Sequence, residues 1–253
     1  MPPSPRAPAG QSLSQRAYAR IKDDIITCKL APGVEVSESL LSQRCGLGKA
    51  PVRAALARLS QEGLVRAAPR RGYEIAAITL RDINDLFDLR MALESLAARL
   101  ASGRIAEERL VALDKAWSEG YPGEAADASY LRANKAFHTA IADASGNARL
   151  AAILSQIHDQ ADRLIYLGLP LADERDEIRQ GHKPLIDALV KGDAEAAGRI
   201  AAAHVLAAKA IRIDTVMANS TLLETSIRVD TRDDPRRRPR AESRPITPPP
   251  SGG

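Results

Sequence analysis

Cysteine is scarce in this chain: only Cys28 and Cys45 occur among 253 residues. Two cysteines cannot build a disulfide framework, and their spacing fits no zinc finger. Both lie in segments of apolar periodicity and read as buried thiols. Long apolar runs are missing too. No stretch approaches the roughly 20 apolar residues a membrane-crossing helix needs, which excludes a spanning function. The N-terminus, MPPSPRAPAGQS, lacks the apolar core of a secretory signal. The expectation is a cytoplasmic protein with no membrane partner. From Thr79 to about Asn219 no strand pattern is present, and no internal repeat is visible anywhere.

Charge is present in both signs but unevenly placed. Residues 1–78 hold 12 Lys+Arg against 6 Asp+Glu, residues 79–225 hold 17 against 22, and residues 226–253 hold 7 against 4. A basic head on an acidic body implies a polyanionic partner for the head alone.

The pattern along the chain divides it into four parts. Residues 1–12 are rich in Pro, Ala and Ser and read as disordered. Residues 13–78 read as helix, turn, helix, turn, helix and hairpin. A first helix spans about Ser14–Thr27, with Tyr18, Ile21 and Ile25 on one face. Ser37 is placed to cap a short second helix, which Gly46-Leu47-Gly48 breaks. Pro51 sits in the first turn of a third helix, where its missing N–H costs nothing. Leu64–Ala68 and Tyr73–Ala77 read as strands joined by Pro69-Arg70-Arg71-Gly72. Residues 79–219 read as an all-α bundle, with helices near 79–101, 105–119, 127–144, 147–168, 175–191 and 193–217. Residues 220–253 end in TRDDPRRRPRAESRPITPPPSGG, which has too little apolar surface to fold alone and reads as a disordered basic tail. The fold class is therefore mainly α: an N-terminal winged helix-turn-helix with a small β-hairpin, then an all-α helical-bundle effector domain.

A helix-turn-helix reads DNA with the N-terminal part of its second helix. Here that stretch contains Lys49 and Arg53, four apart and so on one face, opposite Val52 and Leu56. Arg53 has the donors to address guanine O6 and N7 together, and Lys49 can do so more loosely or hold a phosphate. Arg70 and Arg71 at the wing tip suit phosphates or the minor groove, and Gly72 lets the wing backbone approach its target. Taken alone, Arg53 and Arg58 would read as a solvated helix face. It is the ordered constellation that points to double-stranded DNA.

The segments KLAPG (29–33), VSESLLSQRCGL (36–47), PVRAAL (51–56), LSQEGLV (59–65) and RRGYEIA (70–76) make this region resemble the GntR family of bacterial transcription regulators. The resemblance covers about fifty residues and implies a homodimer on a short palindromic operator. Where the family usually has Ser-Arg-Thr, this chain has Gly48-Lys49-Ala50, and where it has Arg-Glu, this chain has Arg53-Ala54. Two hydroxyls able to hold phosphates are thus absent, and the operator preference is expected to differ.

Three histidines of the acidic part stand out. His138 lies four residues after Asn134 and shares its helix face; His182 opens HKPLIDALV; His204 lies inside AAAHVLAAK. Each alone reads as a satisfied core or surface residue. Together, on separate helices of a bundle, they have the disposition from which such folds build metal sites.

The segments LRMALESLAARLA (89–101), FHTAIADASGN (137–147) and HKPLIDALVKGDAEAAGRIAAAH (182–204) resemble the FCD ligand-binding domain of the FadR-like branch of the same family. Metal-binding members carry an Asp four residues before the first of three histidines. By position this implies Asn134, His138, His182 and His204 as the ligand set, with Asn134 in place of the Asp. Three imidazoles and an amide suit Zn or Ni better than Mg or Ca. The resemblance also implies a small carboxylate effector completing the coordination, and places Arg90 where it could receive that carboxylate. The simpler reading of Arg90 and Glu94, at i and i+4, is an intrahelical salt bridge. Effector binding is expected to act on the helix beside Leu80–Leu89, which continues from the wing.

The reading is thus a transcription regulator and not an enzyme. The alternative is a helical metallohydrolase with an accessory nucleic-acid-binding head. It would need a general base beside the ion, and no Glu adjoins a ligand His as in HExxH.

Overall fold

The computed structural model describes residues 11–69, 71–119, 128–167, 175–218 and 227–228. Arg70, the Gly120 and Pro170 breaks and the tail arginines beyond Arg228 lie outside them. Helix α1 (Leu13–Ile26) starts at Ser12, whose side chain accepts from Gln15 N while Gln15 returns to the Ser12 N–H. That reciprocal cap satisfies two otherwise orphaned donors, so Ser12, which the sequence pattern places in the 1–12 segment, belongs to the helix start. Strand β1 (Glu35–Val36) precedes α2 (Glu38–Cys45), which Ser37 caps and Gly46 ends in the left-handed conformation. Helix α3 is Lys49–Gln61, followed by β2 (Val65–Ala68) and β3 (Gly72–Ile75).

The wing sheet has three antiparallel strands in the order β1-β3-β2, one more than the hairpin read from the sequence. Two residues show no period, which is why β1 escapes a pattern reading. Pairing Val36 with Tyr73 closes it onto the hairpin. Gly72 is required by this closure. Its φ is +98°, and a Cβ there would meet Val36 O at 2.7 Å. Its freedom thus serves the packing of the wing on its own sheet, beyond any approach to DNA. The head core gathers Ile21, Ile25, Leu41, Val52, Leu56 and Leu59, all fully buried.

Strand β4 (Ile78–Thr79) leads into α4 (Leu80–Ala101), whose first turn is a capping box between Thr79 and Asp82. The body continues with α5 (Glu107–Glu119), α6 (Ala128–Ala144), α7 (Ala148–Tyr166), α8 (Arg175–Lys191) and α9 (Ala194–Ala218). These bounds fall within a few residues of the periodic segments. His182 does not open its helix; it lies inside α8, two residues before Pro184. Helix α4 runs along α9 and also touches α6, α7 and α8, so it is the axis of the bundle. Phe87 and Phe137 anchor two of its core clusters.

Two further findings depart from the sequence reading. Strand β5 (Ile227–Arg228) pairs parallel to β4, with Ile78 opposite Ile227 and Thr79 opposite Arg228. These two tail residues are therefore ordered, against the joint between head and body, and not part of a disordered tail. The body, expected to be free of strands, starts with one.

Head and body meet along α7. Lys22 on α1 lies 2.8 Å from Glu62 and 2.6 Å from Asp159 of α7. Asp159 also takes Lys135 of α6. Gln160 donates to Glu62 O at 3.3 Å, and Arg163 donates to Ala76 O at 2.6 Å. This seam adjoins a cleft of about 330 Å³ lined by Lys22, Lys29, Lys135 and Asp162 among others.

Candidate functional site

The reading face of α3 follows from its burial pattern. Val52, Ala55, Leu56 and Leu59 face the core, which leaves Lys49, Ala50, Arg53, Ala54 and Ala57 exposed. Two cations on a carpet of alanines can approach a groove closely, and the methyl groups suit contact with thymine. Arg53 is held, Nε and Nη2 donating to the two carboxylate oxygens of Glu38 at 2.9 and 2.8 Å. Arg71 donates to Glu35 at 2.9 Å. These hydrogen bonds hold Glu38 below the ordinary carboxylate pKa. Both pairs are solvent-exposed, and water screens such pairs so that they add little to stability. DNA phosphates or guanine edges can replace the carboxylates at little cost. Glu38 and Glu35 were not singled out in the sequence, because they come close to their partners only through the helix-turn-helix fold and the wing.

In the body the three expected histidines converge. The ring centroids of His138, His182 and His204 lie 4.9–5.7 Å apart. One donor atom from each falls within 4.8 Å of the others, and all three residues are buried. They come from α6, α8 and α9. Asn134 lies one turn before His138 on α6, half-buried. Arg90 and Glu94 form the intrahelical pair, Nε donating to Oε1 at 2.8 Å, but they also face this pocket. Glu94 Oε2 is 3.0 Å from His138 Nδ1, and Glu94 Oε1 is 3.5 Å from His158 Nε2.

His158 was missed in the sequence. It stands on α7 four residues after the buried Leu154, so the helical period places it inward. Its ring lies 5.3 Å from that of His138. Glu94, His138 and His158 form a second cluster of donors that shares His138 with the first. Asp114, also unread in the sequence, holds His182 Nδ1 at 2.9 Å.

Burial sets the chemistry of these groups. It pushes His158 down to about 3 and lowers His182 and His204 below the ordinary imidazole value. Burial would raise Glu94, but Arg90, His138 and His158 outweigh it and keep the carboxyl well below its usual range. The result is that His158, His182 and His204 are neutral imidazoles beside one ionised carboxylate. Neutral imidazole offers a lone pair to an ion. Among the described residues His138 Nε2 is buried without a hydrogen-bond partner, a cost of about 1–3 kcal/mol if nothing occupies it. The donor set fits a borderline divalent ion such as Zn or Ni. A cavity of about 10 Å³, room for about one water, adjoins Glu94 and His138 and is otherwise lined by aliphatic side chains.

A winged helix with an exposed basic face, joined to an all-α body with a buried polar pocket, defines a DNA-reading regulator with a sensing domain. Comparison with known proteins agrees. The model of the bacterial regulatory proteins, gntR family, matches residues 13–75, and that of the FCD domain matches residues 85–207. The chain is 31% identical over 205 residues to the HTH-type transcriptional repressor GlaR of Escherichia coli (strain K12), spanning 75% of this chain and 90% of that protein. It is 27% identical over 190 residues to the HTH-type transcriptional regulator YdhC of Bacillus subtilis (strain 168), spanning 74% and 85%. The solved structure of E. coli McbR/YncC shares its fold, with a TM-score of 0.67 at 21% identity over 83% of this chain and 100% of that one. The chain belongs to the GntR family of bacterial transcription regulators, in the branch that carries an FCD domain. Among the described residues no helix is long and apolar enough to cross a membrane.

Proposed function

We propose that this regulator binds a palindromic operator as a homodimer and that a small carboxylate in the body controls its affinity, with a metal ion as the anchor. The observation that carries this reading is the buried convergence of His138, His182 and His204. A Zn or Ni ion held by those three would supply a Lewis-acidic anchor for a carboxylate. Arg90, buried and paired with Glu94, supplies a second positive charge toward such an anion. Lys49, Arg53, Arg71 and Gly72 form the DNA face, and Arg70 completes the wing tip read from the sequence. A dimer is favoured because one short recognition helix reads few base pairs, whereas two-fold symmetry doubles the site.

Helix α7 offers the route between the sites. His158 projects to His138 and Glu94, while the adjacent Asp159 holds Lys22 of the head. A ligand that displaces His138 or His158 displaces α7, and with it the seam that seats the head. A two-state change in that seam would alter the spacing of the two reading helices. A second route starts at α4, which continues from β4 and the wing.

The test is fluorescence anisotropy with duplex DNA from the gene's own upstream region, with and without Zn or Ni and a panel of small carboxylates. Affinity that shifts with a carboxylate only when metal is loaded supports the full reading. Affinity indifferent to every metal and carboxylate leaves a DNA binder without this control. The metallohydrolase alternative is not favoured by the family, and turnover of ester or phosphoester substrates by purified protein would revive it.

A further inference from the structure

Resting on the metal reading above, we propose that Glu94 and Asp114 are positioning residues that supply, from behind two histidine rings, the negative charge absent at Asn134. Glu94 Oε2 lies 3.0 Å from His138 Nδ1, and Asp114 Oδ1 lies 2.9 Å from His182 Nδ1. In each pair the carboxylate meets the same ring nitrogen. A neutral imidazole that donates its Nδ1–H to a carboxylate is fixed in one tautomer, with its Nε2 lone pair turned outward as a ligand. For His138 that Nε2 is the buried atom without a hydrogen-bond partner among the described residues.

The division of labour among helices supports the assignment. Ligand histidines come from α6, α8 and α9, whereas the two carboxylates come from α4 and α5. Neither α4 nor α5 carries a histidine, so what each lends the pocket is charge and orientation through its carboxylate. Asn134, one turn from His138, brings only a neutral amide. Glu94 is shared with Arg90, which offsets part of its charge, while Asp114 is 29% exposed. The ion would therefore meet neutral nitrogen donors directly and negative charge one bond further out. That arrangement favours Zn or Ni, which accept imidazole readily, over Mg or Ca, which demand oxygen.

The test uses the full chain, stripped of metal and titrated with Zn against a chromophoric chelator. Glu94→Gln and Asp114→Asn are compared with wild type and with Asp143→Asn, an exposed carboxylate of α6 outside the pocket. Gln and Asn keep an acceptor oxygen, so the loss reads the charge. Each pocket variant should weaken Zn by about 10- to 100-fold, and Asp143→Asn should match wild type. In the Zn-loaded protein each variant should also shift one ring N–H resonance, which a merely structural role would not move. If Glu94→Gln fails to fold, Asp114→Asn, at the pocket rim, carries the test. Wild-type Zn affinity and unchanged ring resonances in both variants overturn the proposal and leave the metal reading standing. A wild-type chain that takes up neither Zn nor Ni overturns both.

Discussion

Two arginine–glutamate pairs in this chain share an N–O separation of 2.8 Å, one in the head and one in the body. Arg53 and Glu38 are 66% and 23% exposed, whereas Arg90 and Glu94 are 8% and 7% exposed. The bond length is the same, and water decides what each pair is for. In the head both ions keep much of their hydration, so the pair is weak and exchangeable, and Arg53 can leave Glu38 for a base edge. In the body, removing one partner strands the other charge in a medium that cannot solvate it. The head therefore stores readiness to bind. The body stores a fixed field around its histidines.

The sharpest way to break this contrast is to truncate both pairs. Glu94→Ala should cost about 3–5 kcal/mol of stability, read as a lowered denaturation midpoint of the metal-free protein. Glu38→Ala should stay within about 0.5 kcal/mol of wild type. Equal losses would show that the head pair is structural after all.

DNA binding should give the reverse order. Arg53→Ala should weaken the operator by about 1–3 kcal/mol and relax preference at one base per half-site, with stability unchanged. Glu38→Gln frees Arg53 and removes a negative charge from the reading face, so it should tighten DNA. Arg71→Ala should weaken all sequences and flatten the salt dependence. Unchanged operator affinity in Arg53→Ala would displace α3 as the reading helix.

A third comparison sets Asp162 of α7 against the carboxylates that are paired. Burial raises its pKa to about 6 from an ordinary value of 3.8. A raised carboxyl favours the folded state below pH 4, and that stability is lost as the pH rises through 6. Asp162→Asn should therefore stabilise the protein by about 1–3 kcal/mol at pH 7.5 and change little at pH 4. Thermal melts at the two pH values decide it. A stability change of equal size at both would place the effect in packing instead.

The smallest effect is expected at the C-terminus. Cutting after Arg228 keeps β5 and should leave the melting temperature unchanged. Cutting before Ile227 removes the β4 pairing and should lower it by about 2–4 °C. Identical melts would show that the pairing adds nothing to stability.

Much of the head was legible because its information is local. Ser37, Pro51 and Gly46 punctuate helices by their own backbone chemistry, and Val52, Leu56 and Leu59 set the inner face of α3 by period alone. The three converging histidines were legible as members of helices, and the family resemblance grouped them. What could not be read was which other side chains meet them. His158 lies on an inward face, but period does not say what it faces. Glu94 looked complete as the i+4 partner of Arg90, and its second oxygen carried no sequence signal. Asp114 read as an ordinary helix carboxylate.

By itself, then, the sequence determined the helices, their caps, the basic reading face and the acidic bundle, because these rest on contacts within about four residues of each other. Tertiary structure alone decided that Glu94 reaches His138, that Asp114 reaches His182 and that α7 carries His158 on one side and the Lys22–Asp159 seam on the other. Those contacts join residues 44 to 137 positions apart. Only packing of the helices against one another sets such distances. Burial, which makes His158, His182 and His204 neutral and the Arg90–Glu94 pair permanent, exists only once that packing has removed the water.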